Sequence, residues 1–165
     1  SLLFEHHTIF KEYKAILSAI PKEDEGTIEN YLDEHPNVKG TYRVAYQGKG
    51  KLAISHYQIV EKYKRHSLVA FQIETGRTHQ IRVHAQFLGC PLAYDPVYNP
   101  QNGIFLSRFI KNYKGKEEER SIIQRLSLHA QTMRFYHPFT EEVIDIQSPY
   151  PKDFQKAIEI LRKYI

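Results

Sequence analysis

The chain has 165 residues, of which 41% are hydrophobic and 25% charged, as in an ordinary folded domain that can bury one core. No run approaches the roughly 20 consecutive apolar residues that a membrane-spanning helix needs. The single cysteine, Cys90, excludes an internal disulfide framework and a cysteine-based metal cluster, and it fits a reducing, cytoplasmic setting. The formal net charge of +4 is mildly basic and compatible with a polyanionic partner.

The first half of the sequence predicts mostly strands. Residues 10–20 alternate, with Tyr13, Ala15 and Leu17 on one face. Residues 52–63 and 67–74 predict two more strands, and the short connection between them predicts antiparallel pairing. The remaining segments are less regular: a helix tail at residues 2–9, a short strand or turn at 27–32, a weak strand at 41–46, and loops at 22–26, 35–40 and 47–51.

A helix is predicted directly after the strand that ends at residue 74. Gly76 is expected to break the strand because glycine adopts backbone angles that other residues avoid. Thr78 is expected to cap the helix through its hydroxyl. Ile81, Ala85 and Leu88 then share one helical face, and Gly89, followed by Pro91, ends the helix.

Four side chains with hydrogen-bonding capacity cluster at the start of this helix, namely Arg77, His79, Gln80 and Arg82. A helix N-terminus favours negative charge, and two guanidinium groups beside it predict a pocket for phosphate or carboxylate. Composition alone leaves solvated surface arginines as an equally good interpretation.

The second half predicts a loop, a hairpin and a closing helix. Residues 91–103 predict a loop, 104–110 a short element and 112–120 an exposed charged loop. Residues 126–136 and 142–147 predict a hairpin. Residues 152–164 predict an amphipathic helix, with Phe154, Ala157, Ile158 and Leu161 at helical spacing. The fold class predicted is α+β, with a mostly antiparallel mixed sheet and a few helices.

The sequence gives little support for a metal or a cofactor. His79 and His84 are five residues apart, which does not place them on one helical face, and no Cys-x-x-Cys or His-Glu-x-x-His pattern occurs. A nucleophile elbow, a P-loop and a dinucleotide fingerprint are also missing from the sequence. We therefore expect no metal and no cofactor.

Residues 75–84, read as Thr-Gly-Arg-Thr-His-Gln-Ile-Arg-Val-His and called the signature run below, closely resemble the signature of the RluA-type pseudouridine synthases. Other segments resemble that family in the family's order. They are Lys-Glu-Tyr-Lys-Ala at 11–15, Gly-Cys-Pro-Leu at 89–92 with Asp95 and Tyr98, Leu-His-Ala at 128–130, and His-Pro at 137–138. Tyr94 departs from the family, which usually has glycine there.

The resemblance implies an RNA-modifying isomerase that needs no metal or cofactor. Such enzymes convert uridine in ribosomal or transfer RNA to pseudouridine, and the target uridine must leave its stack. By resemblance, Tyr13 and Arg82 are the catalytic residues, with Tyr13 against the flipped base and Arg82 paired to an essential aspartate. Lys11, Arg77, His79 and Gln80 are the implied RNA-binding residues.

The essential aspartate of the family's His-Arg-Leu-Asp motif has no match here. None of the five aspartates, Asp24, Asp33, Asp95, Asp145 and Asp153, lies in such a context. We therefore expect residues 1–165 to be the C-terminal part of a synthase catalytic domain, inactive alone, with Arg82 lacking a carboxylate partner. We also expect an apolar patch or a dimer at an open sheet edge. An RNA-binding module without catalysis and a phosphate-binding module unrelated to RNA stay open as alternatives.

Overall fold

The computed structural model describes residues 9–46, 48–115, 118–140 and 142–164. Its elements, in chain order, are strands β1 (Phe10–Leu17), β2 (Glu25–Glu34), β3 (Tyr42–Val44), β4 (Lys51–Lys62) and β5 (Ser67–Ile73), helix α1 (Gln80–Phe87), a 3-10 helix (Leu106–Arg108), strands β6 (Leu128–Tyr136) and β7 (Val143–Gln147), and helix α2 (Lys152–Lys163). The helix tail expected at residues 2–9 lies, apart from Ile9, outside the described residues.

The strands of the described ranges form one sheet in the order β3-β2-β4-β5-β1-β6-β7. Every neighbouring pair in it is antiparallel, which confirms the predicted α+β class. Strand β2 is longer than the short strand or turn predicted at residues 27–32. Its buried residues Ile28 and Leu32 flank Asn30, and this polar residue interrupts the apolar alternation that marks a strand in sequence.

Helices α1 and α2 lie on opposite faces of the sheet. Helix α1 packs its Ile81 and Ala85 on one face, against β1 and β5. Helix α2 packs on the other face, where Ile16 of β1 and Leu68 of β5 point, because successive strand residues alternate between faces. Its buried residues are the four predicted from helical spacing, Phe154, Ala157, Ile158 and Leu161.

The start of α1 differs from the prediction, although the helix itself is confirmed. His79 is the N-cap, in a left-handed conformation with φ 57°, and no side chain caps the helix, so the predicted cap by Thr78 is wrong. Gly76 is not among the residues with positive φ, and a Cβ there would meet open space. Gly89 does adopt the left-handed φ of +72° that ends the helix as predicted.

The remaining predicted elements lie where the sequence placed them. Strands β6 and β7 form the expected hairpin, and the 3-10 helix lies within residues 104–110. Residues 112–115 and 118–120 are in neither helix nor strand. Strand β7 is at the edge of the sheet, and the hairpin exposes Met133, Tyr136, Val143 and Ile146. Within the described ranges, no helix is long and apolar enough to cross a membrane.

The packing of α2 predicts a large effect at Phe154, whose side chain is fully buried. We expect Phe154→Ala to lower the free energy of unfolding by about 3–5 kcal/mol, because the truncation leaves a cavity in the core. The control is Lys156→Ala, at an exposed position of the same helix, which should change stability by less than about 0.5 kcal/mol. Urea denaturation measures both variants. Equal effects would contradict the packing of α2 on the sheet.

Candidate functional site

Gln80, the first residue of α1, joins the helix to the end of the sheet. Its side-chain oxygen accepts hydrogen bonds from the Thr75 hydroxyl (2.7 Å) and the Arg77 amide (3.0 Å). Its side-chain nitrogen donates to the Ile54 carbonyl and the Ser55 hydroxyl, each at 2.9 Å. The residue is buried. All of its amide hydrogen-bonding groups are therefore used inside the protein, and the geometry supports a structural role.

Arg82 forms a buried, bidentate ion pair with Asp95. Its Nε donates to Asp95 Oδ2 at 2.8 Å and its Nη2 to Asp95 Oδ1 at 2.7 Å. The guanidinium also lies over the ring of Tyr98, 4.7 Å from the centroid. Arg82 is 8% exposed and Asp95 only 1%. The expectation that Arg82 would lack a carboxylate partner is wrong, because the turn after α1 supplies one.

Asp95 is held as a carboxylate by its surroundings. Its Oδ1 also accepts hydrogen bonds from the backbone amides of Val97 (2.9 Å) and Tyr98 (3.0 Å). Burial raises the pKa of Asp95, but the hydrogen bonds from Arg82, Tyr98 and Val97 and the charge of Arg82 outweigh it, so the pKa lies below its usual value. The carboxylate is thus ionised, paired and enclosed at neutral pH.

His79 is tied to the same turn through Tyr98. The Tyr98 hydroxyl accepts a hydrogen bond from the Tyr42 amide (2.7 Å) and lies 2.9 Å from His79 Nδ1, to which it can donate its own proton. Burial and the nearby Arg82 lower the pKa of His79, against an opposing effect of Asp95, which favours a neutral ring. In the tautomer whose Nδ1 accepts from Tyr98, the ring proton is on Nε2, away from Tyr98.

Arg77 is the exposed guanidinium of the signature run. Its Nε donates to the Leu52 carbonyl at 2.8 Å, which fixes the side chain beside β4. It lines a surface cleft together with Lys51, Asp33 and Glu34. The cleft therefore has mixed charge, and the predicted pair of guanidiniums facing one anion does not occur, because Arg82 is turned inward.

Lys11 and Tyr13 come from β1, next to β5. Tyr13 is half-buried and packs against the core cluster that contains Ile81 and Ala85 of α1. Lys11 is two residues earlier on the same strand, and alternate strand residues share a face. Both side chains therefore lie on the sheet face that α1 covers, so two of the segments singled out in sequence meet on one side of the sheet.

The sequence assigned no role to three residues that build this site, Asp95, Tyr98 and Tyr42. The Asp-x-x-Tyr spacing was visible in the segment after α1 and was the available signal for Asp95 and Tyr98. Tyr42 carries no motif, and only the pairing of β3 with β2 brings it near His79, with ring centroids 5.6 Å apart. Among the described residues no cluster suited to a metal ion is present.

A family model described as "RNA pseudouridylate synthase" matches residues 1–87, which include β1, the signature run and α1. The chain therefore belongs to the RNA pseudouridylate synthase family. It is 34% identical to an uncharacterized RNA pseudouridine synthase, YlyB, of Bacillus subtilis over 94% of this chain and 45% of that protein. It is 35% identical to the ribosomal large subunit pseudouridine synthase D of Neisseria meningitidis over 96% of this chain and 40% of that protein. The chain thus spans less than half the length of these relatives.

Solved structures share the fold. The human RNA pseudouridylate synthase domain containing 4 superposes with a TM-score of 0.67 at 23% identity, over 93% of this chain and 62% of that one. The human RNA pseudouridylate synthase domain containing 1 gives a TM-score of 0.65 at 22% identity, over 94% of this chain and 66% of that one. At these identities the likeness concerns the fold alone.

The buried pair predicts that Asp95→Asn destabilises the chain by about 3–5 kcal/mol at pH 7, because Arg82 loses its counter-charge. The folded pKa of Asp95 is lowered, so its contribution is present above the unfolded pKa of about 3.9 and is lost as the pH falls through the folded value. The difference in the free energy of unfolding between wild type and variant should therefore shrink as the pH is lowered. Urea denaturation over a pH series measures it.

The matched control is Asp145→Asn, which breaks the pair with Arg134, where the side chains are 54% and 35% exposed. This substitution should lower the free energy of unfolding by less than about 1 kcal/mol. Equal losses at the two aspartates, or a gap at Asp95 that does not depend on pH, would contradict the buried pair.

Proposed function

We propose that this chain is the C-terminal part of the catalytic domain of an RNA pseudouridine synthase, which converts uridine in RNA to pseudouridine. The observation that carries the proposal is Arg82, an arginine of the signature run fixed in a buried fork on the turn that follows α1. A bidentate guanidinium suits the pairing with a carboxylate that the family chemistry requires.

The proposed substrate is a uridine in ribosomal or transfer RNA. The name of the Neisseria meningitidis relative, which refers to the large ribosomal subunit, favours ribosomal RNA. We propose a cytoplasmic location, in keeping with such a substrate. The exposed edge at β7 is proposed as the surface that another part of the protein or a second copy would cover.

Three groups are proposed to contact RNA from the signature run and β1. Arg77 presents its outer nitrogens to solvent, and His79 has Nε2–H available for a phosphate oxygen when Nδ1 accepts from Tyr98. Lys11 is on the sheet face covered by α1. Gln80 was expected in this set; its contact with RNA stays a prediction, and its internal hydrogen bonds support positioning instead.

Tyr13 and Arg82 are proposed as the catalytic residues, with Tyr13 against the base that leaves its stack. Arg82 uses Nε and Nη2 for Asp95, which leaves Nη1 for a second carboxylate. Asp95 is a poor substitute for the family aspartate, because it is 1% exposed and its oxygens already accept four hydrogen bonds. We therefore propose that the reacting carboxylate comes from a segment outside these 165 residues.

The alternative proposal is an RNA-binding module without catalysis. The pairing of Arg82 with Asp95 favours it, because an arginine that already has a carboxylate partner is stable without a catalytic one. The two proposals differ in whether any protein that contains this chain forms pseudouridine.

We predict that the 165-residue chain alone forms no pseudouridine. Neither a phenol nor a guanidinium can replace a carboxylate, because both groups in general hold their proton at neutral pH. The test incubates the chain with transcribed ribosomal RNA and measures pseudouridine by nucleoside mass spectrometry. A natural protein that contains the chain and a His-Arg-Leu-Asp segment should be active under the same conditions. Activity of the isolated chain, or inactivity of both, would contradict the proposal.

We also predict that Arg82→Lys in the active protein lowers the rate of isomerisation by on the order of 100-fold, because lysine lacks the planar fork. The control is Arg125→Lys. Arg125 makes the same fork to Asp153, with Nε–Oδ2 at 2.9 Å and Nη2–Oδ1 at 3.0 Å, at a more exposed place. A single-turnover assay should find the control within a few-fold of wild type. Equal rates for the two variants would exclude the role of Arg82.

A further inference from the structure

A second polar pocket lies at the end of the sheet opposite the signature run. It is lined by Lys64, Arg65 and His66 of the β4–β5 connection and by Asn102, Arg108 and Phe109 of the segment after α1; we call it the turn pocket. The signature run follows the last residue of β5, whereas the turn pocket precedes its first. The seven residues of β5, at ~3.3 Å each, separate the two by about 23 Å.

The three cations of the turn pocket, Lys64, Arg65 and Arg108, form no ion pair within the described ranges. Four other arginines do, namely Arg82, Arg125, Arg134 and Arg162. Lys62, two residues before Lys64, pairs with Asp24. Arg108 acts on one described acid, Glu119, whose pKa is lowered mainly by its hydrogen bond from Ser107, with a smaller contribution from Arg108. Its carboxylate accepts from the Ser107 amide at 2.9 Å. The pocket therefore keeps a local excess of positive charge.

Arg108 is an exposed residue of the pocket lining and is held by weak contacts. Its Nη1 lies 3.3 Å from the Gly103 carbonyl and 3.5 Å from Asn102 Oδ1, both long for hydrogen bonds. Its guanidinium stacks on the ring of Phe105, 4.9 Å from the centroid. Nε and Nη2 are not among its hydrogen-bonding atoms here. The side chain is thus oriented while most of its donors are left for a ligand.

His66 forms the inner wall of the pocket. It is only 6% exposed, and its Nδ1 is a buried polar atom without a hydrogen-bond partner among the described residues. Burial, then Arg108 and Arg65, lower the pKa of His66 to about 4, so the ring is neutral at pH 7. A buried, unpaired nitrogen beside three cations is costly unless a polar ligand or water completes the site.

We propose that the turn pocket binds a phosphate group of the RNA substrate, at a point about 23 Å from the signature run. The unpaired cations supply the charge, and oriented guanidinium donors fit phosphate oxygens. A stem of several base pairs is long enough to reach both places at once. This inference rests on the proposed function for the identity of the ligand, but not for the binding of phosphate itself.

The test compares two variants of the chain with equal loss of charge. Lys64→Ala with Arg65→Ala removes two charges from the pocket, and Lys152→Ala with Lys156→Ala removes two from exposed positions of α2. All four residues are exposed, so we expect both proteins to fold, and thermal melting checks this. Fluorescence anisotropy measures binding of a labelled RNA stem-loop between about 50 and 200 mM salt. Inorganic phosphate, titrated by NMR, is the second probe.

We expect the pocket variant to bind RNA several-fold more weakly than the α2 variant, with a salt slope smaller by about one to two, since fewer counterions are released. We also expect phosphate to shift the amide signals of residues 64–66 and 102–109 in wild type and in the α2 variant, but not in the pocket variant. Equal RNA binding by the two variants, or the absence of phosphate shifts at residues 64–66 and 102–109, would overturn the inference. If phosphate binds in the turn pocket but the pocket variant binds RNA as tightly as the α2 variant, the assignment of the ligand to RNA is wrong. A failure of the proposed isomerisation would appear only in the assay for pseudouridine.

Discussion

The buried ion pair between Arg82 and Asp95 holds the candidate site together. It joins α1 to the turn that follows, and the same carboxylate accepts the amides of that turn, which places Tyr98 against His79. Removing two charges from water costs several kcal/mol per ion, and only excellent geometry with further hydrogen bonds offsets it. Here both carboxylate oxygens are bonded to the guanidinium and one also to the backbone. We infer that the pair is retained for the position it gives Arg82 more than for net stability.

Some side chains of the signature run bond inside the protein, and others lie on its outer side. Gln80 fastens the helix to β4 and to Thr75, so it fixes where the run begins. Arg77 and His79 are left on the outer side, where RNA is proposed to bind. Most of the hydrogen bonds made by the signature run therefore serve to position one residue, Arg82. This explains why so many polar side chains crowd a helix start without forming a solvent-filled anion pocket.

Regular patterns made most of the fold predictable. Alternation and helical spacing located the strands of both hairpins and the buried face of α2, because burial on one face imposes a period on the sequence. The predictions failed where a tertiary contact overrides local propensity. Thr78 is a good cap by residue type, yet the hydrogen bond to Tyr98 accompanies a left-handed His79 at the cap. The pairing of Asp95 with Arg82 was not predicted, because an ion pair across a turn imposes no periodic pattern on the sequence. The spacing of Asp95 to Tyr98 was nevertheless visible.

The organisation of the site depends on a strong coupling between Arg82 and Asp95, and a double-mutant cycle measures this coupling most directly. The free energy of unfolding is determined for wild type, Arg82→Met, Asp95→Leu and the double variant. We expect each single change to be costly and the double variant to recover part of the loss, with a coupling energy of about 2 kcal/mol or more, because a lone buried charge is worse than none. Additive losses, within about 0.5 kcal/mol, would contradict the claim that this pair organises the site.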